Sequence, residues 1–267
     1  ITRDDLIAFK DTWIRPDNGQ VFVISDQSLE DVVAALNTAF GEWGAPQMAK
    51  GEKAIPAQDS AAGETGRIIL VNRPDSPQSQ ILGAQLTNLS ASDPDYVDFT
   101  NANNSLGGNF LARLNYNLRE TKGWSYGIRG GPQTLENAVV YAIRGGVQAD
   151  KTGASISEMI RETSEFLTTN GVTEEELARN VANEIGELPG RFETSGAVLG
   201  AMRSNAQYDR PDDYYETLVG KYQAQTAESL DAAAREVLDT SKFIWVVVGD
   251  AEQVKPQLDA GNGINEA

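Results

Sequence analysis

Residues 106–127 read LGGNFLARLNYNLRETKGWSYG and carry the strongest local signals in the 267-residue chain. A Gly-Gly turn comes first, a run with apolar residues at helical spacing follows, and a strand-like segment ends the stretch. This pattern predicts a helix over 109–121. The residues expected on its inward face are Phe110, Leu111, Leu114 and Leu118.

The composition excludes several kinds of chemistry. The chain has no histidine and no cysteine, and its 39 acidic against 22 basic residues give a formal net charge of −17. Without cysteine there is no disulfide, thiolate nucleophile or cysteine-built zinc site, and without histidine there is no Ser-His-Asp triad or histidine-ligated metal. The negative charge argues against a nucleic-acid partner, and no apolar run is long enough to predict a membrane span.

The first fifty residues have the pattern of helix, strand and helix. Thr2 and Asp5 form a capping box that predicts a short helix, and residues 20–24 (QVFVI) predict a buried strand. Ser28 then caps a second helix with one apolar stripe. The stripe residues are Leu29, Val32, Val33, Leu36 and Phe40.

Strands come before helices in the rest of the chain. The predicted strands are 67–71, 80–86, 125–129, 138–144, 146–149 and 243–248. The predicted helices, after one opened by Asp93-Pro94, are 109–121, 153–169, 173–188, 194–207, 226–239 and a short one ending near 258. The pairs Gly130-Gly131 and Gly145-Gly146 predict turns or bulges. This order predicts an α+β fold, a two-layer sandwich of a mixed, largely antiparallel sheet with helices on one face.

The two ends of the chain repeat one supersecondary pattern. Helix, strand, turn and helix at 3–41 match the same order at 227–258. We therefore expect the chain to be a fragment or mature form in which residues 1–50 end a preceding domain. Residues 51–66 are a predicted linker, 67–260 a complete domain and 261–267 a frayed tail.

The segment 106–127 closely resembles the C-terminal-domain signature of the M16 metallopeptidases, the family of pitrilysin, insulysin and mitochondrial processing peptidase. The shared features are Leu-Gly-Gly, then Arg-Leu, Leu-Arg-Glu, a glycine and a tyrosine. Residues 2–43 resemble the family's first-domain ending, and Val-Val-Val-Gly-Asp at 246–250 resembles the end of its second domain. The resemblance implies the LuxS/MPP-like metallohydrolase fold.

The resemblance also implies a substrate-binding pair, Arg119 and Tyr126, at the family's seven-residue spacing. A guanidinium and a phenol are hydrogen-bond donors, so near a scissile carbonyl they are suited to hold the substrate backbone and stabilise an oxyanion. The alternative is structural: Arg119 pairs with Glu120 or Glu136, and Tyr126 packs in the sheet.

One feature of the family is missing. Its zinc motif His-x-x-Glu-His needs histidine, so no catalytic or metal-binding residue is expected within this chain. The resemblance implies that the zinc belongs to an N-terminal M16 domain upstream or to a zinc-bearing partner subunit. The chain is then a non-catalytic half of a peptidase. Its expected partners are that domain or subunit and a peptide substrate, with a second copy of the chain in a homodimer as the alternative. The alternative function is a scaffold subunit like the core proteins of respiratory complexes.

Charges add a weaker indication about the same region. Residues 101–148 contain five basic residues and only two acidic ones, Glu120 and Glu136. This basic strip could bind a peptide carboxylate or an acidic partner, or it could be an ordinary solvated face. Its cations are Arg113, Arg119, Lys122, Arg129 and Arg144. Carboxylates at 93–95, 174–176 and 212–213 stand where helices begin and are explained by capping. The acidic, cysteine-free chain suits a bacterial periplasm or the cytosol.

Overall fold

A computed structural model of the chain describes residues 1–52, 66–135 and 138–259. Residues 53–65 of the predicted linker and the predicted tail 261–267 lie outside this range. The described chain divides into two compact units. The smaller holds residues 1–52 and 190–206, and the larger holds the rest.

Ten α-helices lie in the described residues, and none of them is long and apolar enough to cross a membrane. They are α1 (Arg3–Trp13), α2 (Leu29–Phe40), α3 (Tyr96–Asn103), α4 (Arg113–Asn115), α5 (Thr152–Thr168), α6 (Glu174–Glu187), α7 (Ser195–Gln207), α8 (Tyr214–Ala224), α9 (Ala227–Val237) and α10 (Ala251–Asp259). Helix α8 has no counterpart among the predicted helices. Short 3₁₀ turns occupy Pro16–Asn18, Ala149–Lys151, Pro189–Phe192 and Thr240–Lys242.

A sheet of five strands organises the larger unit over its described residues. The strands are β1 (Ile68–Asn72), β2 (Gln78–Leu86), β3 (Ser125–Leu135), β4 (Ala138–Gln148) and β5 (Ile244–Gly249). Their spatial order is β1-β5-β2-β4-β3, with β1 parallel to β5 and all other neighbours antiparallel. The prediction of a mixed, largely antiparallel sheet is confirmed.

The core of the larger unit lies on one face of this sheet. Strand residues such as Tyr141 and Trp245 pack there with Phe99 of α3, Ile156 of α5 and Leu230 of α9, all nearly inaccessible. Successive strand side chains point to opposite faces. The other face therefore carries alternate residues, which include the exposed Ile69, Val71 and Leu82. The predicted arrangement of helices on one face of the sheet is the one observed.

Three predicted strands after residue 124 differ from the structure. The segments 138–144 and 146–149 form the single strand β4, and β3 continues six residues past its predicted end at 129. The glycine pairs lie inside these strands instead of in turns. A Cβ on Gly145 would lie 2.4 Å from the side chain of Ile128, so Gly145 permits close packing between β3 and β4.

The smaller unit contains two capped helices and a buried arginine among its described residues. The predicted capping box of Thr2 and Asp5 begins α1, and Ser28 caps α2 as expected. The Arg15 guanidinium is buried and bonds to the carboxylate of Asp17 (2.6 and 2.9 Å) and to the carbonyl oxygen of Met48 (2.9 Å).

The predicted buried strand 20–24 is wrong. This segment has no strand partner among the described residues, and Val21, Val23 and Ile24 are exposed. A strand requires a hydrogen-bonded neighbour, and an apolar run alone does not supply one. The predicted stripe of α2 is exposed as well at Leu29, Val33 and Phe40. Neither α1 nor α2 contains a fully buried residue.

Candidate functional site

The site lies where the segment 106–127 joins the edge strand β3. Instead of the single predicted helix over 109–121, the backbone forms a π-helical turn at Asn104–Gly108, an extended residue at Ala112, the short α4, and a second π-helical turn at Tyr116–Thr121. Such π turns are often found at functional sites.

Glycine permits the first π turn to lie directly against the sheet. A Cβ on Gly107 would lie 2.7 Å from the Cα of Gly130 in β3, and a Cβ on Gly130 would lie 2.8 Å from the Tyr141 hydroxyl. Only two residues without side chains allow this backbone approach. The Leu-Gly-Gly sequence therefore serves packing between the π turn and β3.

Two buried asparagines attach this region to the outer edge of β3. Asn103 donates to the carbonyl oxygen of Gly130 (3.0 Å) and accepts from the Tyr141 hydroxyl (2.9 Å). Asn115 accepts from the backbone N–H of Ile128 (2.9 Å) and donates to the carbonyl oxygen of Phe110 (2.7 Å). An edge strand exposes unpaired backbone groups, and these amides satisfy two of them. Asn115 also fixes Phe110 relative to β3.

Arg113, the arginine of the Arg-Leu pair, has a structural role. Its guanidinium donates to the Glu176 carboxylate (2.8 Å) and to the carbonyl oxygens of Asn170 and Gly171, and it lies 5.0 Å from the ring centre of Phe166. Burial raises the pKa of Glu176, but the hydrogen bonds from Arg113 and Thr173 outweigh burial, so the pKa is lowered. This ion pair ties α4 to the start of α6.

Glu158 on α5 holds the second π turn. Its carboxylate accepts hydrogen bonds from Asn117 (2.6 Å) and Arg161 (2.7 Å) and pairs with Lys122 (3.2 Å). Burial raises the pKa of Glu158, but these three donors overcome that effect and lower the pKa to about 2. The contacts lie on either side of Arg119 in the sequence and fix the turn that carries it.

The Arg119 guanidinium lies between two aromatic rings. Its central carbon is 4.5 Å from the ring centre of Phe110 and 5.3 Å from that of Tyr126. Its Nε lies 3.3 Å from the Glu120 carboxylate, and the side chain is 30% exposed. Cation–π contacts orient a guanidinium while leaving its N–H groups able to bond elsewhere. The pairing with Glu120 foreseen as the structural alternative is present, and Glu136 lies outside the described residues.

Tyr126 occupies a β-bulge and points into solvent. Ser125 is paired with Val147 and Gly127 with Gly146, so Tyr126 is the extra residue between them. Bulges redirect side chains at strand ends. The Tyr126 side chain is 89% exposed, which excludes the alternative that it packs in the sheet.

Together these residues form an open surface with donors and apolar contacts side by side. Arg119 and Tyr126, the predicted pair, lie next to each other, and Phe110 and Leu111 add exposed apolar area. A polar cleft of 420 Å³ opens between the end of β2, α5 and α9, and none of these residues lines it. An extended chain fits such a surface better than a small enclosed ligand does.

The prediction that Phe110 and Leu111 lie on the inward face of a helix is wrong. They are about half exposed, whereas Leu114 and Leu118 are fully buried as predicted. The helix begins only after Ala112, so Phe110 and Leu111 do not share its periodicity. The local sequence gave no clear signal, because asparagine favours both helix caps and turns; in the structure Asn109 accepts a hydrogen bond from the backbone N–H of Leu111 (2.9 Å), in a turn that precedes the helix.

The site residues do not fit a zinc ion. Within the described ranges, no three residues among histidine, cysteine, aspartate and glutamate are grouped as metal ligands, and the carboxylate nearest to Arg119 is paired with it. Among the described residues, this surface offers hydrogen-bond donors and no set of metal ligands.

A protein-family profile matches most of the chain. The profile described as the Peptidase M16 inactive domain matches residues 1–184. No curated protein sequence matches the chain.

Solved structures share the fold. A peptidase M16 inactive domain from Pseudomonas fluorescens aligns with a TM-score of 0.80 and 23% identity over 94% of this chain and 57% of its own. A protease from Helicobacter pylori aligns at 0.77 and 18% identity, over 93% and 59%. The first half of the periplasmic protease PqqL from Escherichia coli aligns at 0.71 and 13% identity, over 100% and 59%. The chain thus spans less than two thirds of these proteins. It belongs to the M16 peptidase family, and the region that matches is the family's inactive domain.

Proposed function

We propose that this chain forms the substrate-holding half of an M16-type peptidase chamber, with Arg119 and Tyr126 binding the peptide. The catalytic zinc and its base are supplied by an N-terminal M16 domain of the same polypeptide or by a partner subunit. Alone, the chain binds peptide without cleaving it.

The exposed Arg119–Tyr126 pair is the observation that carries this proposal. A phenol that is 89% exposed and a guanidinium held between two rings contribute little to the core. Buried amides and Glu158 nevertheless fix the backbone on both sides of the pair. Fixed donors on a surface are the arrangement that hydrogen-bond recognition of a substrate requires.

The chemistry assigned to the pair is hydrogen bonding. The Arg119 guanidinium donates to carbonyl oxygens of an extended peptide, and the Tyr126 hydroxyl donates to the oxygen on which negative charge develops during peptide-bond cleavage. Phe110 keeps the guanidinium in place and offers an apolar contact for a neighbouring substrate side chain. No proton transfer is assigned to this chain.

Peptide binding by the purified chain tests the proposal. The probe is a fluorescein-labelled neutral decapeptide of Val, Thr and Gln, followed by fluorescence anisotropy. We expect Arg119→Ala to weaken binding about tenfold, because charge-assisted hydrogen bonds are lost, and Tyr126→Phe to weaken it by about threefold.

Tyr116→Phe is the matched control, because Tyr116 is also an exposed phenol of this segment and has no side-chain hydrogen bond among the described residues. It should bind as the wild type does. Equal binding by all variants, or no binding by the wild type, would contradict the proposal and favour the scaffold function.

A further inference from the structure

The structure separates the cations of the basic strip into two groups. Arg113, Arg119 and Lys122 each pair with a glutamate. Arg129 and Arg144 are exposed, and neither makes an ion pair or hydrogen bond through its side chain with any residue that the structure describes. Arg73 and Arg235 also have no ion pair with a described residue, so the position of Arg129 and Arg144 in the sheet, and not their lack of a partner, is what distinguishes them.

These two arginines stand side by side. Arg129 of β3 lies directly opposite Arg144 of β4 in the antiparallel ladder. Their Cβ atoms are therefore about 5 Å apart, and like charges in this position destabilise a sheet. A carboxylate held between two guanidiniums removes the repulsion and accepts several charge-assisted hydrogen bonds.

Small residues flank the arginine pair in the sheet. In the ladder, the next pair on the same face is Gly127–Gly146 on one side and Gly131–Ala142 on the other. Three of these four residues are glycines, so a peptide can approach the strands closely on the Gly127–Gly146 side, where it also meets the Gln80 amide beside Gly146; Ala142 on the other side is buried.

The pair also lies on the strand that carries Tyr126. Arg129 lies three positions after Tyr126, which is about 10 Å along a strand. If one residue of an extended peptide is held at Tyr126 and the peptide runs along β3, the residue three positions further along the peptide therefore lies at the two arginines.

We propose that Arg129 and Arg144 form a carboxylate-binding subsite that selects peptides with Asp or Glu about three residues from the position held by Arg119 and Tyr126. This inference rests on the proposed function and adds a substrate class to it, namely acidic peptides. The occupant is the substrate, since the arginines share a strand with the candidate binding residue and their charge complements a carboxylate.

The test uses the full chain, the neutral decapeptide and a series of its variants. Each variant carries Glu at a different single position of the decapeptide. We expect one position to bind about tenfold more tightly with Glu, in anisotropy titrations at low salt. Arg129→Gln, Arg144→Gln and the double variant should each reduce this preference, and the double variant should abolish it.

Arg235→Gln is the matched control. Arg235 is exposed at the end of α9 and has no side-chain partner among the described residues. Its substitution therefore changes the net charge by as much as Arg129→Gln or Arg144→Gln does, but leaves the Arg129–Arg144 pair intact. It should keep the preference. Loss of the preference in Arg235→Gln, or its survival in the double variant, would overturn the subsite.

The two proposals fail in different ways. If the neutral peptide binds and Arg119→Ala weakens it, but no Glu peptide binds more tightly, the subsite is wrong and the proposed function stands. If the double variant keeps the preference but binds a zinc-bearing M16 partner less tightly, the arginines serve subunit docking and the subsite is again wrong.

Discussion

The segment 106–127 has a buried side and an exposed side that differ in what they do. Leu106, Leu114 and Leu118 are completely inaccessible and belong to the core of the larger unit. Arg119 and Tyr126, from the same stretch, face outward. One run of sequence therefore joins the core and the candidate binding surface. Variants on the two sides should separate folding stability from peptide binding.

The largest effect is expected on the buried side. Leu118→Ala should lower the free energy of unfolding by about 2–5 kcal/mol, because it leaves a cavity in the core. Leu111→Ala, seven residues earlier and 58% exposed, should change it by less than about 0.5 kcal/mol. Denaturant unfolding measures both. Similar losses for the two variants would contradict the assignment of sides.

A smaller loss is expected where the segment touches β3. Gly130→Ala should destabilise the fold by about 1–3 kcal/mol, because the added methyl group meets the Tyr141 hydroxyl and a neighbouring π turn. Gly186→Ala in α6 is the control, since a Cβ there meets nothing within 4 Å, and it should be neutral or stabilising. Thermal unfolding distinguishes them, and equal midpoints would refute the close approach.

A further predicted effect depends on pH. The pKa of Glu158 is about 2 in the folded chain, against 4.5 for the free side chain. The unfolded state therefore takes up this proton first, so stability that is present above about pH 4.5 is lost as the pH falls toward 2. Glu158→Gln should flatten the stability profile in this window. Denaturant midpoints measured at several pH values check this.

Glu162→Gln serves as the control for that measurement. Glu162 also contacts Arg161, but burial outweighs this contact and raises its pKa. Its removal should leave the acid-side loss of stability in place. A loss that disappears in Glu162→Gln and persists in Glu158→Gln would exclude Glu158 as the acid-sensitive tether of the second π turn.

The spacing of apolar residues predicted most strands and helices of the larger unit. The predicted strand 80–86 corresponds to β2, and the predicted helix 173–188 corresponds to α6, which begins with a capping box of Thr173 and Glu176. The pair Arg119 and Tyr126 came from the family resemblance, and the structure brings the two residues together.

The missed features depend on contacts between side chains and the backbone of other segments. Asn115 bonds to both Phe110 and Ile128, which stabilises a broken helix where periodicity predicted a continuous one. Gly130 is needed inside β3 for contact with Gly107, although a glycine pair locally predicts a turn. Neither requirement is visible in the local sequence, because each partner lies on another element.

The most direct test of the central claim is turnover in a complete peptidase. The chain is joined to, or coexpressed with, the M16 polypeptide that bears His-x-x-Glu-His, and kcat/KM is measured on a quenched fluorescent peptide together with zinc content. The account predicts that Arg119→Ala and Tyr126→Phe lower kcat/KM, by about a hundredfold for the loss of an oxyanion donor, while zinc content and unfolding midpoint stay unchanged. Full turnover in both variants would contradict it.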